Sequence, residues 1–156
     1  MDTDTAQHRQ IGIAILIDSH GRFLLQQRDD IPGIVHPGKI GLFGGHREGE
    51  ETYLQCAVRE IHEEIGYFVQ LDHFKHFVSY DEVDDHGIHV HGEIFVANQI
   101  PVEELLITEG LLLVVEPEDV PAIAANFSPS ARFAISRYLM SKESSTDHQG
   151  SGERPS

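Results

Sequence analysis

Three glutamates in the middle of the chain, Glu60, Glu63 and Glu64, are spaced i, i+3 and i+4. On a helix that spacing brings side chains to one face, so the three carboxylates converge on one point in space. Like charges held together repel, and a face serving solubility alone would intersperse lysines. A divalent cation seated among the acids resolves the conflict, because hard cations take carboxylate oxygens as ligands. The chemistry open to such a cluster is metal-assisted: stabilising charge on a phosphoryl oxygen, or acidifying a water so that it attacks at neutral pH.

The residues around the acids read as the element that holds them. Leu54, Ala57, Val58, Ile61 and Ile65 recur at i, i+3, i+4, i+7 and i+11, the stripe of a helix with one face on a core. Thr52 is a good N-cap with Gln55 three residues on, a reciprocal capping box, and Gly66 follows the last apolar position, where a left-handed residue ends a helix. Ahead of it, Gly44-Gly45-His46-Arg47-Glu48-Gly49 reads as a glycine-bounded loop able to bring backbone close to a ligand. Loop and helix together make a site.

Gly45, five residues, Glu51, seven residues, Arg59-Glu60-Ile61, one residue, Glu63-Glu64, one residue, Gly66: this pattern resembles the signature of the Nudix hydrolases, enzymes that cut nucleoside diphosphates linked to another group. Every charged and glycine position of the signature is filled. Its last position, usually aliphatic, is Tyr67 here, a departure that touches packing more than chemistry. The resemblance implies an α/β fold, the Nudix-type α/β/α sandwich with a mixed β-sheet between helices. It also implies Glu60 and Glu64 as principal metal ligands, with Glu63 sharing that role or acting as base, and the Gly44 carbonyl completing the coordination of Mg²⁺, with Mn²⁺ as a substitute. Arg59 pairs with a signature carboxylate and orients it, and Glu51 fixes the loop from the other end of the helix. Glu109, in the connection before a later strand, is the candidate for the further glutamate that several relatives swing over the metal.

Around this segment, Arg28, Lys39 and Arg47 are cations on flanking loops and read as phosphate contacts. Phe43 or Tyr80 is the candidate to stack on a base. Alternation along Ile88 to Val96 puts His89, His91 and Glu93 on one strand face, which suits substrate contact or exposure and, less well, a transition metal. Cys56 lies inside the central helix and reads as a packing residue.

The 156 residues make one ordinary domain with a real core. With 11 Lys+Arg against 26 Asp+Glu, the formal charge of -15 argues against a nucleic-acid polymer as partner, which calls for a basic footprint. A small nucleotide whose charge is screened by metal remains compatible. The single cysteine excludes an intramolecular disulfide and suits a reducing compartment. No segment is long and apolar enough to span a bilayer, and Met1 to Gln10 lacks the apolar run of a signal peptide. The expected location is the cytoplasm; a homodimer is left open.

In chain order, 1–9 reads as a polar tail and 10–141 as the domain. Ile11 to Ile17 is a buried strand, Asp18-Ser-His-Gly21 a turn, and Phe23 to Leu25 the returning strand of a hairpin. Asp29 to Lys39 is a loop bordering the site. After the helix, Phe68 to Tyr80 and Ile88 to Val96 form strands around an acidic turn, and Leu111 to Val115 forms another. Pro117 opens a helix, and Ser128-Pro129 caps a second that ends near Met140. The segment 142–156, rich in Ser, Gly and charge, reads as a second tail.

The activity implied is Mg²⁺-dependent hydrolysis of the phosphoanhydride in a nucleoside diphosphate linked to a moiety X. X ranges from phosphate, making a nucleoside triphosphate, to a sugar or the ribose of ADP-ribose. The alternative is a non-catalytic nucleotide-sensing module on the same fold. Such modules usually lose signature carboxylates, and none is lost here. An isoprenoid diphosphate isomerase on this fold would need a cysteine outside the signature, and Cys56 lies within it.

Overall fold

The long strand β1, His8–Asp18, is apolar on both faces from Ile11 to Ile17, as a strand covered from both sides must be. The computed structural model describes residues 8–34 and 36–153, and in it β1 is the axis of a seven-stranded mixed sheet. Its partners are β2 (Phe23–Gln27), β3 (Ile40–Gly41), β4 (Phe43–His46), β5 (Phe74–Val83), β6 (His89–Ile100) and β7 (Leu111–Val115). The order is β3-β2-β1-β6-β5, with β4 also on β1 and β7 on β2. β1 runs parallel to β6 and antiparallel to β2 and β4.

The β1–β2 hairpin is closed by Asp18. Its buried carboxylate accepts the His20 and Arg22 backbone N–H groups, each at 2.9 Å, and the Arg22 Nε at 2.7 Å. Helix α1, Tyr53–Ile65, covers one face of the sheet. Ala57, Ile61 and Ile65 are fully buried there against Ala14, Leu16 and Phe95. Truncating Ile61 to alanine would cost roughly 2–5 kcal/mol by the usual core scale. The opposite face of β1, Ile11 to Ile17 in alternate positions, packs with Ala131, Ala134 and Ile135 of helix α3, Pro129–Glu153. A short helix α2, Val120–Ile123, lies between β7 and α3. This is the α/β/α sandwich with a mixed sheet at its centre.

Both ends of α1 are built as the sequence suggests. The Thr52 hydroxyl accepts from Gln55 N–H, the Gln55 side chain accepts from Thr52 N–H, and Gly66 takes φ 65°. Boundaries differ elsewhere. Gly44 to His46 are not loop but strand β4, because Gly44 and Gly45 lie in register with Ile13 and Gly12 of β1. β1 starts at His8, inside the stretch assigned to the first tail, since His8 and Arg9 pair with His89 and Val90 of β6. Helix α3 passes Met140 and reaches Glu153; no proline interrupts it before Pro155. Residues 1–7 and 154–156 of the two tails lie outside the described residues. No helix among the described residues is long and apolar enough to cross a membrane.

Candidate active site

Helix α1 carries the acids, and β4 brings backbone to them. Gly44 takes φ +134°, a conformation that L side chains rarely adopt, and a Cβ on Gly45 would fall 2.5 Å from the Glu60 carboxyl carbon. The glycines therefore let the Glu60 carboxylate lie directly against the strand. The Gly44 N–H donates to Glu64 Oε1 at 2.9 Å, and the Cys56 thiol donates to the Gly45 carbonyl at 3.2 Å.

Arg59 ties the helix to the loop before it. Its Nε and Nη2 donate to Glu51 at 3.1 and 2.7 Å, its Nη1 donates to Glu60 Oε2 at 2.8 Å, and Nη2 also reaches the His46 carbonyl at 3.1 Å. Glu51 in turn accepts the Glu48 N–H at 2.9 Å. The Arg59 hydrogen bonds hold the Glu51 carboxyl far below its ordinary range, to about 2, and the carboxylates raise the Arg59 pKa in return.

A cleft of about 370 Å³ opens beside this strand and helix, with Glu60, Glu64, Glu109 and Arg28 in its wall and Gly44 and Gly45 at its base. Burial pushes the Glu64 carboxyl up to about 8; the neighbouring charges of Glu60 and Glu109 add to the rise, while the Gly44 N–H and Arg28 oppose it. Glu109 arrives from the β6–β7 connection, which is fastened to the end of α1. Leu106 N–H donates to the Ile65 carbonyl at 2.7 Å and Thr108 N–H to the Glu64 carbonyl at 3.0 Å. These bonds satisfy carbonyls that a helix end leaves without partners. From the other side, the buried Gln26 amide of β2 donates to the Glu109 carbonyl at 3.1 Å.

Among the described residues no three His, Cys, Asp or Glu side chains are already gathered as a metal cage. The cleft offers instead an all-oxygen donor set, the Glu60, Glu64 and Glu109 carboxylates beside backbone at Gly44. Glu64, kept protonated by burial and by two acidic neighbours, is a group that an adjacent cation would ionise. The carboxylates fit a hard divalent cation, and the His36 and His46 imidazoles line the same cleft.

A model of the NUDIX domain matches residues 6–127, most of the chain. The chain belongs to the NUDIX family. With every signature carboxylate present, it is a Nudix hydrolase of the pyrophosphatase type. Comparison with curated proteins gives no match. Among solved structures, the chain is similar to the MutT NUDIX hydrolase of Burkholderia pseudomallei, with a TM-score of 0.70 and 23% identity, covering 83% of this chain and 97% of that one. The MutT protein of Methanosarcina mazei Go1 has a TM-score of 0.70 at 17% identity, covering 86% and 95%. A NUDIX hydrolase from Nitrosomonas europaea has a TM-score of 0.66 at 19% identity, covering 86% and 90%. At these identities the likeness speaks for the fold.

The Nudix cleft takes in only part of what the sequence singles out. Glu60, Glu64, Gly44, Arg28 and Glu109 line it. Glu63 does not line it: 61% of its side chain is exposed, and its carboxylate lies 3.8 Å from Arg59. Glu51 and Arg59 support it from behind. Arg47 is not free to meet a phosphate there: it donates to the Gln10 side chain and to the Glu51 carbonyl and lies over the Tyr53 ring. Phe43 is fully buried in the core under α1 and has no face for a base. Lys39 and Tyr80 line a separate, larger groove of about 750 Å³. The face of His89, His91 and Glu93 is an internal hydrogen-bonded chain, His91 lying between Asp81 at 2.8 Å and Glu93 at 2.7 Å.

Three residues at or beside the cleft escape sequence reasoning. Arg9, read as tail, lines it and donates to His46 Nε2 at 3.1 Å. His46 lines it too, its imidazole held below the usual pKa by burial and then by Arg9. Gln26 carries the one available signal, the first of two amides that follow the apolar Phe23-Leu24-Leu25 of β2.

Proposed function

We propose that this Nudix hydrolase cleaves, with Mg²⁺, the phosphoanhydride of a nucleoside diphosphate linked to a moiety X. The single observation that carries the reading is the pairing of Glu60 and Glu64 with backbone at Gly44 in one cleft, with Glu109 across from them. When bound, the metal supplies charge stabilisation for the phosphate oxygens and acidifies a water. Glu60 and Glu64 would hold it, with the Gly44 carbonyl and, from the β6–β7 connection, Glu109 as further oxygen donors. Arg59 holds Glu60 in place, and Glu51 holds Arg59. Glu63, exposed on the same helix, accepts a proton from the attacking water. The water oxygen bonds to one phosphorus, the bridging P–O bond breaks, and its electron pair leaves on the other phosphate. Arg28 and Arg9 face the anionic oxygens. Net charge supports a small-molecule substrate over a nucleic-acid polymer, and the single cysteine suits the reducing cytoplasm.

The test is hydrolysis of a panel of nucleoside triphosphates, nucleotide sugars and ADP-ribose with Mg²⁺ and then with EDTA. The reading expects release of a nucleoside monophosphate that stops with the chelator. Tight binding of a nucleotide with no turnover would favour the sensing module instead.

A further inference from the structure

His8 opens β1 and His89 opens β6, and the two are register partners in the parallel pairing of these strands. Partner side chains of neighbouring strands share a face, so the sheet itself sets the two imidazoles side by side. Their rings meet edge to face with centres 5.2 Å apart, and their Nδ1 atoms face each other at 3.2 Å. Asp81, from β5, accepts the other nitrogen of His89, Nε2, at 3.0 Å. An ionised carboxylate only accepts, so in the neutral imidazole Nε2 carries the proton and Nδ1 keeps its lone pair turned toward His8. Asp81 is itself held. Its Oδ1 accepts His91 Nδ1 at 2.8 Å, His91 Nε2 donates to Glu93 at 2.7 Å, and Glu93 also accepts from Ser79 and His76, each at 2.7 Å.

We propose that His8 and His89 form a second metal site, apart from the cleft, for a borderline divalent ion of the Zn²⁺ class. Imidazole nitrogen suits Zn²⁺, Cu²⁺ and Ni²⁺, whereas Mg²⁺ prefers oxygen. Tetrahedral Zn²⁺ bonded to two imidazole nitrogens at about 2.0–2.1 Å holds them roughly 3.3 Å apart, and the two Nδ1 atoms already stand at 3.2 Å. Asp81 supplies what a metal-bound histidine usually has on its far side, a carboxylate that fixes tautomer and ring orientation. Binding replaces the hydrogen bond between the rings: the His8 proton passes from Nδ1 to Nε2 through solvent, and both Nδ1 lone pairs go to the ion. The row of His89, His91 and Glu93 along β6 does not supply the ligand set, because both nitrogens of His91 are taken by Asp81 and Glu93. No third His, Cys, Asp or Glu among the described residues converges on the pair, so water fills the remaining positions. The ion pins the first residue of β1 to β6, while Arg9, next along β1, lines the cleft from the other face of the sheet.

Calorimetric titration of the full chain with ZnCl₂ in excess Mg²⁺ tests this, beside His8→Ala and His89→Ala variants whose fold is checked by circular dichroism. The unaltered protein should take up one Zn²⁺ more than either variant, and Zn²⁺ should raise its melting temperature further than theirs. Neither histidine lines the cleft, so Mg²⁺-dependent hydrolysis should be unchanged in both. Asp81→Ala should keep the additional ion but bind it roughly 10–100-fold more weakly. Equal Zn²⁺ uptake by the unaltered protein and either folded variant would overturn the inference and leave the chemistry proposed for the cleft standing. Undiminished affinity in Asp81→Ala would overturn the part given to that carboxylate.

Discussion

The Arg59 guanidinium grips Glu51 with two parallel hydrogen bonds, Nε to Oε2 at 3.1 Å and Nη2 to Oε1 at 2.7 Å, while its third nitrogen reaches Glu60. One planar fork thus joins the loop to the acid in the cleft. A lysine is a point charge and cannot make both attachments. Arg59→Lys should therefore lower turnover by about 10–100-fold, the usual effect of losing a partner that orients a ligand. Circular dichroism should show the helix content retained, and wild-type turnover in the folded variant would remove Arg59 from this role.

Roles among the three signature acids should separate by substitution. Glu60→Gln and Glu64→Gln should each weaken Mg²⁺ uptake in calorimetry and lower turnover by roughly two or more orders of magnitude. Glu63→Gln, altered at an exposed side chain outside the cleft lining, should keep near-normal uptake and still lose roughly 10²–10⁴-fold in rate. Equal loss of metal affinity in all three would make Glu63 a ligand and not the base.

Metal-free protein should become less stable as pH rises. The folded-state pKa of Glu64, about 8, lies above its ordinary 4.5, so the folded chain holds a proton there that the unfolded chain releases. The contribution is fully present below the lower value and is lost as pH rises through the upper one. Urea melts in EDTA across this window should show the decline, Glu64→Gln should flatten it, and added Mg²⁺ should reverse it. A flat profile for the unaltered chain would place Glu64 in a more solvated setting.

Gln26 is only 3% exposed, donates to the Glu109 carbonyl and accepts from Arg28 Nη1 at 3.4 Å. It positions the Glu109 turn. Gln26→Leu should weaken Mn²⁺ binding measured by its paramagnetic resonance and lower kcat/KM, and it should do nothing further in a Glu109→Gln background. Additive losses in the double variant would separate the two residues.

The Cys56 thiol is fully buried, and burial pushes its pKa up to about 11. Alkylating reagents should leave it untouched in the native protein and label it in urea. Cys56→Ala should retain hydrolytic activity, since the thiol donates to the Gly45 carbonyl from within the core and does not line the cleft. Abolished turnover in a folded Cys56→Ala variant would give the sulfur a larger part than packing.

Local rules make α1 legible in the sequence. Its apolar stripe, the Thr52–Gln55 box and the Gly66 stop each depend on residues within a turn or two of one another. The β1–β2 hairpin is readable for the same reason. Pairings between distant segments are not. Nothing near Gly44 says that it will lie against Ile13, yet that register turns the expected loop into β4 and carries backbone to Glu64. Arg47 and Phe43 sit beside the signature and look equally available, but one is drawn to Gln10 and the other into the core by partners far along the chain. Arg9 reads as tail because its strand partner, Val90, is supplied by β6.

The attachment of the β6–β7 connection at Leu106 and Thr108 gives the enzyme a division of labour along that arm. Upstream of Leu106, the chain could lengthen or change sequence without disturbing the acids, because the two anchors absorb the difference. Between Thr108 and Gly110 there is no such slack, since one inserted residue would swing Glu109 away from Glu64. Length changes in the outer arm can therefore accumulate while the chemistry beneath stays in register.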